Sequence, residues 1–176
     1  MEDTTPLRRA IKWIVDIVVV ISLAWFVAYG FGVQIKIAGQ SMAPLLSGED
    51  VVLMNRLAYD FGNPGRFDVV VFEREDGKSN VKRVIGLPGE EVQIRDGFVY
   101  IDGEKLEAER GLNTAVLPGL ADNPVTLGED EYFLLGDNRE GSEDSRFVNI
   151  GNVKRDQIQG KVWLRLMPLL DIGLIE

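Results

Sequence analysis

The hydrophobic pattern divides the chain into two parts of different character. The segment from Ile14 to Val33 is almost continuously apolar, with Asp16 and Ser22 as the clearest polar exceptions. At a rise of ~1.5 Å per residue, a helix of this length reaches ~30 Å, which is enough to cross the hydrocarbon core of a bilayer. We therefore expect one N-terminal transmembrane helix.

After this segment, short β-branched and alternating stretches predict strands, and no long stretch has a helical period. The predicted strands lie at Asp50–Met54, Phe67–Phe72, Val81–Leu87, Glu91–Ile94, Phe98–Ile101, Tyr132–Leu135 and Lys161–Leu166. Asp96-Gly97 predicts a tight hairpin turn between two of them. The predicted fold class is mainly β, an antiparallel β domain preceded by one transmembrane helix.

The remaining segments carry weaker signals. Glu104–Arg110 and Lys154–Ile158 are predicted to form single helical turns. Gly111–Gly128 contains Pro118-Gly119 and Asn123-Pro124, and this composition is typical of a loop or a small subdomain.

Basic residues before the apolar segment predict its orientation in the membrane. Arg8, Arg9 and Lys12 favour a cytoplasmic N-terminus. A cleavable secretory signal is the alternative, but its apolar region is usually ~7–15 residues long and ends at a small-x-small site. The segment here is longer and Gly32-Val33-Gln34 is a poor site, so an uncleaved signal-anchor is favoured. We expect a cytoplasmic N-terminus at 1–13, the anchor at 14–33 and an extracytoplasmic β domain at 36–176.

Composition narrows the classes of function. The net charge of −9 lies entirely after residue 35, and an acidic domain argues against binding to nucleic acid. The chain has no Cys and no His, which excludes disulfides and thiol catalysis and argues against zinc and non-haem iron sites.

The segment Gly39-Gln40-Ser41-Met42-Ala43-Pro44 is the first candidate for chemistry. A serine nucleophile usually needs a histidine base, and this chain has none. If Ser41 is a nucleophile, a lysine must activate it. The alternative is a plain turn between the anchor and the first strand, because serine is common in turns.

Lys82-Arg83 lies within the predicted strand Val81–Leu87. Adjacent residues of a strand point to opposite faces, so only one of these two can face a given site. A lysine base must be neutral, which desolvation can achieve, whereas arginine stays protonated. The alternative is a pair of solvated basic residues on a strand edge.

The segment from Gly136 to Arg146 is dense in turn formers, hydroxyls and opposite charges. Asp and Arg can form bidentate pairs that hold such a loop, and a serine hydroxyl can orient an amine. The alternatives are a charged surface loop and a cation loop. A calcium loop starting at Asp137 would have Val148 where a bidentate Glu is required, which argues against calcium.

Together, these segments resemble type I signal peptidases, the Ser/Lys leader peptidases of bacterial membranes. The resemblance covers the N-terminal anchor, Gly-x-Ser-Met-x-Pro at 39–44, Gly48–Val52, Lys-Arg-Val-Ile-Gly-x-Pro-Gly at 82–89, and Gly-Asp-Asn-Arg followed by Ser-x-Asp-Ser-Arg within 136–146. It implies an all-β catalytic domain with an apolar surface on the bilayer, to which Trp163–Ile175 is a candidate contributor.

The resemblance also implies roles for individual residues. The nucleophile matches Ser41, the general base Lys82, and the serine that hydrogen-bonds the lysine amine Ser142. Gly39 stands where Gram-negative members have an oxyanion-hole serine, so this chain resembles the smaller Gram-positive form. The bracing residues match Asp137, Asp144 and Arg146, and the substrate-contacting residues match Met42 and Pro44.

The implied function is cleavage of signal peptides from exported preproteins after small-x-small motifs, without metal or cofactor. The implied location is the bacterial plasma membrane, near the secretion translocon. One alternative is a specialised relative that processes pilin or conjugation substrates. The other is an inactive membrane-tethered binding module, against which the presence of both Ser41 and Lys82 argues.

Overall fold

The computed structural model describes residues 6–60, 62–107 and 114–175. Its first element is a 26-residue helix, α1 (Pro6–Phe31), which is long and apolar enough to cross a membrane. The helix ends before the predicted limit at Val33, because Val33 already pairs with Met54 in the first sheet. The β domain therefore begins three residues earlier than expected.

Twelve strands lie within the described ranges, and all of their pairings are antiparallel. They are β1 (Val33–Lys36), β2 (Val51–Asn55), β3 (Val69–Glu73), β4 (Ser79–Gly86), β5 (Glu91–Arg95), β6 (Phe98–Ile101), β7 (Glu104–Lys105), β8 (Val125–Thr126), β9 (Glu131–Leu135), β10 (Val153–Lys154), β11 (Ile158–Met167) and β12 (Gly173–Leu174). The predicted fold class is confirmed.

The larger sheet has the order β1-β2-β11-β3-β4-β9-β10, and β12 pairs with β11. Both faces of its centre are covered. In β3, Val69 and Val71 pack into one apolar cluster, while Val70 and Phe72 pack into another on the opposite face. This double burial explains why β3 is a continuous hydrophobic run rather than an alternating one.

The smaller sheet has the order β7-β6-β5-β8 and covers a third apolar cluster, which includes Ile85 and Phe133. The predicted hairpin turn is confirmed between β5 and β6. Asp96 and Gly97 have φ angles of 52° and 82°, and positive φ at both central positions is what a two-residue hairpin turn of this type requires.

The helical turn predicted at Glu104–Arg110 is wrong at its start. Glu104 and Lys105 form β7 instead, because they pair with Ile101 and Tyr100 of β6; residues 108–110 lie outside the described part. The turn predicted at Lys154–Ile158 is confirmed as a 3-10 turn at Arg155–Gln157.

The end of α1 contacts the β domain at several points, among them Arg56, whose guanidinium lies 5.6 Å from the centre of the Tyr29 ring. The indole N–H of Trp163 donates to the Phe31 carbonyl at 3.1 Å. Gly30 packs so closely against Leu57 that an added Cβ would lie 2.6 Å from a leucine methyl. These contacts fix where the chain leaves the helix and enters β1.

Candidate active site

Ser41 lies at the start of a tight turn that follows β1. The Ala43 N–H donates to the Gln40 carbonyl at 3.1 Å, and the Leu46 N–H donates to the Met42 carbonyl at 2.8 Å. The side chains of Met42 and Leu46 are fully buried and anchor the turn in the core beneath β1 and β2. Ser41 is therefore held half-buried on a rigid backbone.

Lys82 lies on β4, opposite Val70 of β3, and is only 3% exposed. Its Nζ lies 2.9 Å from Ser41 Oγ and 3.2 Å from the Val81 carbonyl oxygen. The fold thus joins two residues that are 41 positions apart in the sequence.

Burial lowers the pKa of Lys82 from its ordinary value of 10.5 to about 8. Nearby Asp144 and Glu143 oppose this effect because negative charges favour the ammonium form, while the positive charge of Arg74 lowers the pKa further. Lys82 therefore loses its proton at a much lower pH than an ordinary lysine, which is the direction that a general base requires.

Arg83, the next residue on β4, points to the other face of the strand and forms a buried bidentate pair with Asp137. Its Nε and Nη2 both donate to the carboxylate at 2.8 Å, and its Nη1 donates to the Phe67 carbonyl at 2.8 Å. The pair ties β4 to the loop that follows β9. Asp–Arg pairs were expected in this loop from its sequence, but the partner of Arg83 was not.

A second buried pair closes the same loop. Arg146 Nε and Nη2 donate to the Asp144 carboxylate at 2.8 and 2.9 Å. The same carboxylate also accepts from the Gly136 N–H at 3.0 Å and the Arg146 backbone N–H at 3.3 Å. Arg146 also donates to the Leu117 and Arg139 carbonyls. Arg146 therefore links Leu117 to Arg139 and Asp144 of the loop.

Ser142 is buried beside this pair, but the hydrogen bond expected between it and Lys82 is not formed. Within the described residues, Ser142 Oγ has no hydrogen-bond partner. Lys82 Nζ is directed instead to Ser41 and the Val81 carbonyl. Ser142 nevertheless crowds the site, since a Cβ added at Gly136 would lie 2.2 Å from its Oγ.

Asn138 is a further residue of the site, which the sequence alone did not indicate. Its backbone N–H donates to the Ser41 carbonyl at 3.0 Å, and its side-chain amide donates to the Gln40 carbonyl at 3.1 Å. Its place directly after Asp137 was the available signal. Through Asn138, the loop after β9 holds the backbone of the Ser41 turn.

A groove of about 170 Å³ runs past Ser41. One wall is β1 with its extension through Gly39, and the other is Ser79–Val81 of β4. β1 uses one edge to pair with β2, and β9 pairs with β4 only from Arg83 onward, so each wall presents a backbone edge to the groove.

The remaining predicted site residues fall into two groups. Gly39 and Met42 line the groove, although most of the Met42 side chain is packed in the core. Pro44 is exposed and is not part of the groove lining, and its contact with substrate stays a prediction.

Comparison with known proteins identifies the family. The family model described as signal peptidase, peptidase S26, matches residues 10–167. The chain belongs to this family. A signal peptidase I of Bacillus caldolyticus is 36% identical over 91% of this chain and 91% of its own. Signal peptidase IB of Staphylococcus aureus is 31% identical over 92% and 91%, respectively.

Among solved structures, a signal peptidase I of Enterococcus faecalis is 34% identical in sequence, covers 56% of this chain and 96% of its own, and has a TM-score of 0.44. The sequence matches make this chain a serine-type peptidase of the signal peptidase I group, and they support signal-peptide cleavage as its activity.

Proposed function

We propose that the protein is a membrane-bound serine endopeptidase that removes signal peptides from exported preproteins with a Ser41/Lys82 dyad. The observation that carries this proposal is the 2.9 Å contact between Lys82 Nζ and Ser41 Oγ, at a lysine that is almost completely buried. In a chain without histidine, this lysine is the base within reach of the serine.

In the proposed mechanism, neutral Lys82 accepts the proton of Ser41 as Oγ attacks the scissile carbonyl carbon. The carbon–nitrogen bond then breaks, and the ammonium of Lys82 protonates the leaving amine. Water, deprotonated by Lys82, attacks the acyl-enzyme ester, and the proton returns to Ser41 Oγ as the carboxylate product leaves. The lysine therefore begins and ends each turnover neutral.

The developing oxyanion needs fixed donors. Within the described residues, the Ser41 backbone N–H donates no hydrogen bond, which leaves it available for this purpose. Gly39 lies on the groove wall formed by β1 and its extension, and a Cβ added there would meet nothing within 4 Å. The open space at Gly39 allows a substrate carbonyl to approach the Ser41 amide closely.

Substrate would bind as an extended strand between the two walls of the groove. The edge of β1 through Gly39 and the edge of Ser79–Val81 both offer backbone hydrogen bonds to such a strand. The groove is narrow, which favours small side chains at the positions that point into it. A small-x-small motif before the cleavage site fits this shape.

The ion pairs of the loop after β9 would keep the dyad in place. Arg83–Asp137 joins the loop to the strand that carries Lys82, and Asp144–Arg146 holds the buried end of the loop. Asn138 holds the Ser41 turn from the same loop. We propose that Ser142, between these anchors, orients the Lys82 amine during the reaction, because Nζ has one donor direction beyond its two observed contacts.

We propose a membrane arrangement in which residues 1–13 are cytoplasmic, residues 14–33 span the bilayer and the β domain is extracytoplasmic, close to the translocon. Next to the site, Arg165 binds the Leu45 carbonyl, and the following segment exposes apolar side chains. These are Met167, Leu169, Leu170, Ile172 and Leu174. They would rest on the bilayer, from which the signal peptide arrives.

The test is cleavage of a purified preprotein by the full chain in detergent micelles, with the cut site read by mass spectrometry. We expect cleavage after a small-x-small motif, lost in Ser41→Ala and Lys82→Ala and retained in the control Ser47→Ala, which lies in the same segment. Cleavage restricted to pilin or conjugation substrates would identify a specialised peptidase. Absence of cleavage by folded wild-type protein would overturn the proposal.

A further inference from the structure

An ion pair at the rim of the site joins two segments that the sequence keeps far apart. Arg74 Nη1 lies 2.8 Å from Glu143 Oε2, across 69 positions of the chain. Arg74 belongs to the turn between β3 and β4, where its N–H donates to the Lys78 carbonyl at 2.9 Å. The other Glu143 oxygen accepts from the Asn149 side-chain amide, so both oxygens of the carboxylate are held.

Glu143 occupies a sensitive position, since it lies between Ser142 and Asp144. Asp144 is fixed from the buried side by Arg146 and the Gly136 N–H. Ser142 Oγ has no hydrogen-bond partner within the described residues, so its own side chain does not hold it in place. The contact of Glu143 with Arg74 therefore fixes the outer end of the Ser142 segment to the hairpin that carries Lys82.

The same two side chains also act on the charge of Lys82. Apart from burial, the groups that shift the pKa of Lys82 are Asp144 and Glu143, which raise it, and Arg74, which lowers it. Ser41, the hydrogen-bond partner of Nζ, is neutral. Arg74 also pairs with Asp76 of its own turn, with 3.7 Å between Nε and the carboxylate. The effects of Arg74 and Glu143 on the Lys82 pKa oppose each other, so removal of either residue leaves the effect of the other unopposed.

We propose that Arg74 and Glu143 are positioning residues of this site: their ion pair holds the Ser142 segment on the β3–β4 hairpin and balances the charge around Lys82. The proposal rests on the proposed function, in which Lys82 is the base. It assigns a role to a turn, residues 74–78, that is not itself part of the groove lining.

The first test is the pH dependence of preprotein cleavage. Arg74→Gln removes a positive charge, so Lys82 should hold its proton to a higher pH, and the profile should move by about half a unit to the alkaline side. Glu143→Gln should move it by about the same amount to the acid side. In the double variant the two shifts should largely cancel. A merely structural role would lower activity without these opposite signs.

Glu140→Gln is the matched control, because it removes an equal charge from an exposed position in the same loop and should leave the profile unchanged. A second readout does not depend on turnover. Lysine labelled with ¹³C at Cε is titrated by NMR in the full chain, with the Lys82 signal identified by its loss in Lys82→Met. The midpoint of the Lys82 titration should move to higher pH in Arg74→Gln and to lower pH in Glu143→Gln.

Shifts of one sign in both single variants, or an equal shift in Glu140→Gln, would overturn the proposal. The proposal would also be overturned if the pH midpoint of the double variant differed from that of wild type as much as the more strongly shifted single variant does. If wild-type protein cleaves no preprotein, the proposed function fails, while the NMR titration still decides whether the ion pair sets the charge of Lys82.

Discussion

Lys82 and Arg83 are adjacent on β4, yet their side chains serve two separate polar clusters. Lys82 Nζ contacts Ser41 Oγ at 2.9 Å, whereas Arg83 makes a bidentate contact with Asp137 on the other face of the strand. One short strand thus places a base beside the serine and braces the loop that closes the site. The two basic side chains are not interchangeable.

Lys82→Arg should abolish cleavage, because a guanidinium stays protonated and cannot accept the serine proton. We expect kcat/KM to fall by roughly 10²–10⁴-fold or more, the range typical for loss of a general base. The measurement is kcat/KM on a signal-peptide substrate, with circular dichroism as the check on folding. Near-normal turnover by this variant would contradict the role of Lys82 as base.

The pKa of Lys82 predicts the pH dependence of wild-type cleavage. Below pH 8 the amine is mostly protonated and cannot take up the serine proton, so kcat/KM should rise with pH and reach half its maximum near 8. The measurement is kcat/KM from pH 6 to 10 at constant ionic strength. A midpoint near the ordinary lysine value of 10.5 would mean that burial does not activate this residue.

Local pattern was enough to predict most of the framework. The apolar run predicted α1, the β-branched runs predicted β2 to β4, and Asp96-Gly97 predicted the hairpin between β5 and β6. Each of these signals depends only on neighbouring residues. The exception at Glu104-Lys105 has a clear cause. Two polar residues become a strand only because β6 offers them a partner edge, which is a tertiary effect.

The site was only partly accessible from sequence. The candidates Ser41 and Lys82 followed from chemistry and from the family resemblance, and their roles remain predictions. The pairing of Arg83 with Asp137 and the hold of Asn138 on the Ser41 carbonyl depend on long-range packing, which local pattern does not encode. The groove is likewise formed by strands that are distant in sequence.

The buried amine of Lys82 should also reduce stability. Lowering its pKa from 10.5 to about 8 corresponds to roughly 3 kcal/mol of destabilisation at neutral pH. Between pH 8 and 10.5 the unfolded chain binds more protons than the folded one, so stability rises with pH and the penalty disappears. Lys82→Met, which removes the charge and keeps the volume, should therefore be inactive but more stable.

The measurement is thermal unfolding of wild type and Lys82→Met in the same detergent. A gain of this kind raises Tm by about 2–4 °C per kcal/mol in a protein of this size. The difference in Tm should be largest at pH 7 and should shrink toward pH 10.5. A constant difference across this range would show that the gain comes from packing rather than from the charge.

Gly136 should tolerate no side chain. A Cβ added there would lie 2.2 Å from Ser142 Oγ and 2.5 Å from the Ser41 carbonyl oxygen, both of which belong to the site. Gly136→Ala should displace one of the two and reduce kcat much more than it raises KM. Gly62→Ala is the control, because its Cβ would meet nothing within 4 Å. Equal activity of the two variants would contradict this view of the site.

Removing one partner of the buried pair Arg83–Asp137 should lower the free energy of unfolding much more than replacing both partners with apolar residues. Arg83→Met leaves the Asp137 carboxylate buried without its main partner, and losses of this kind cost roughly 3–5 kcal/mol. The double variant Arg83→Met/Asp137→Leu removes both charges and should recover much of that stability. Denaturant unfolding of the wild type, both single variants and the double variant measures this coupling.

Activity in the same four proteins separates stability from positioning. If the pair holds the loop that closes the site, the double variant should remain well below wild type in kcat even where its stability has recovered. The reason is that apolar contact lacks the directional bidentate geometry that fixes the loop against β4. Recovery of both stability and kcat would show that volume alone, rather than the ion pair, positions the loop.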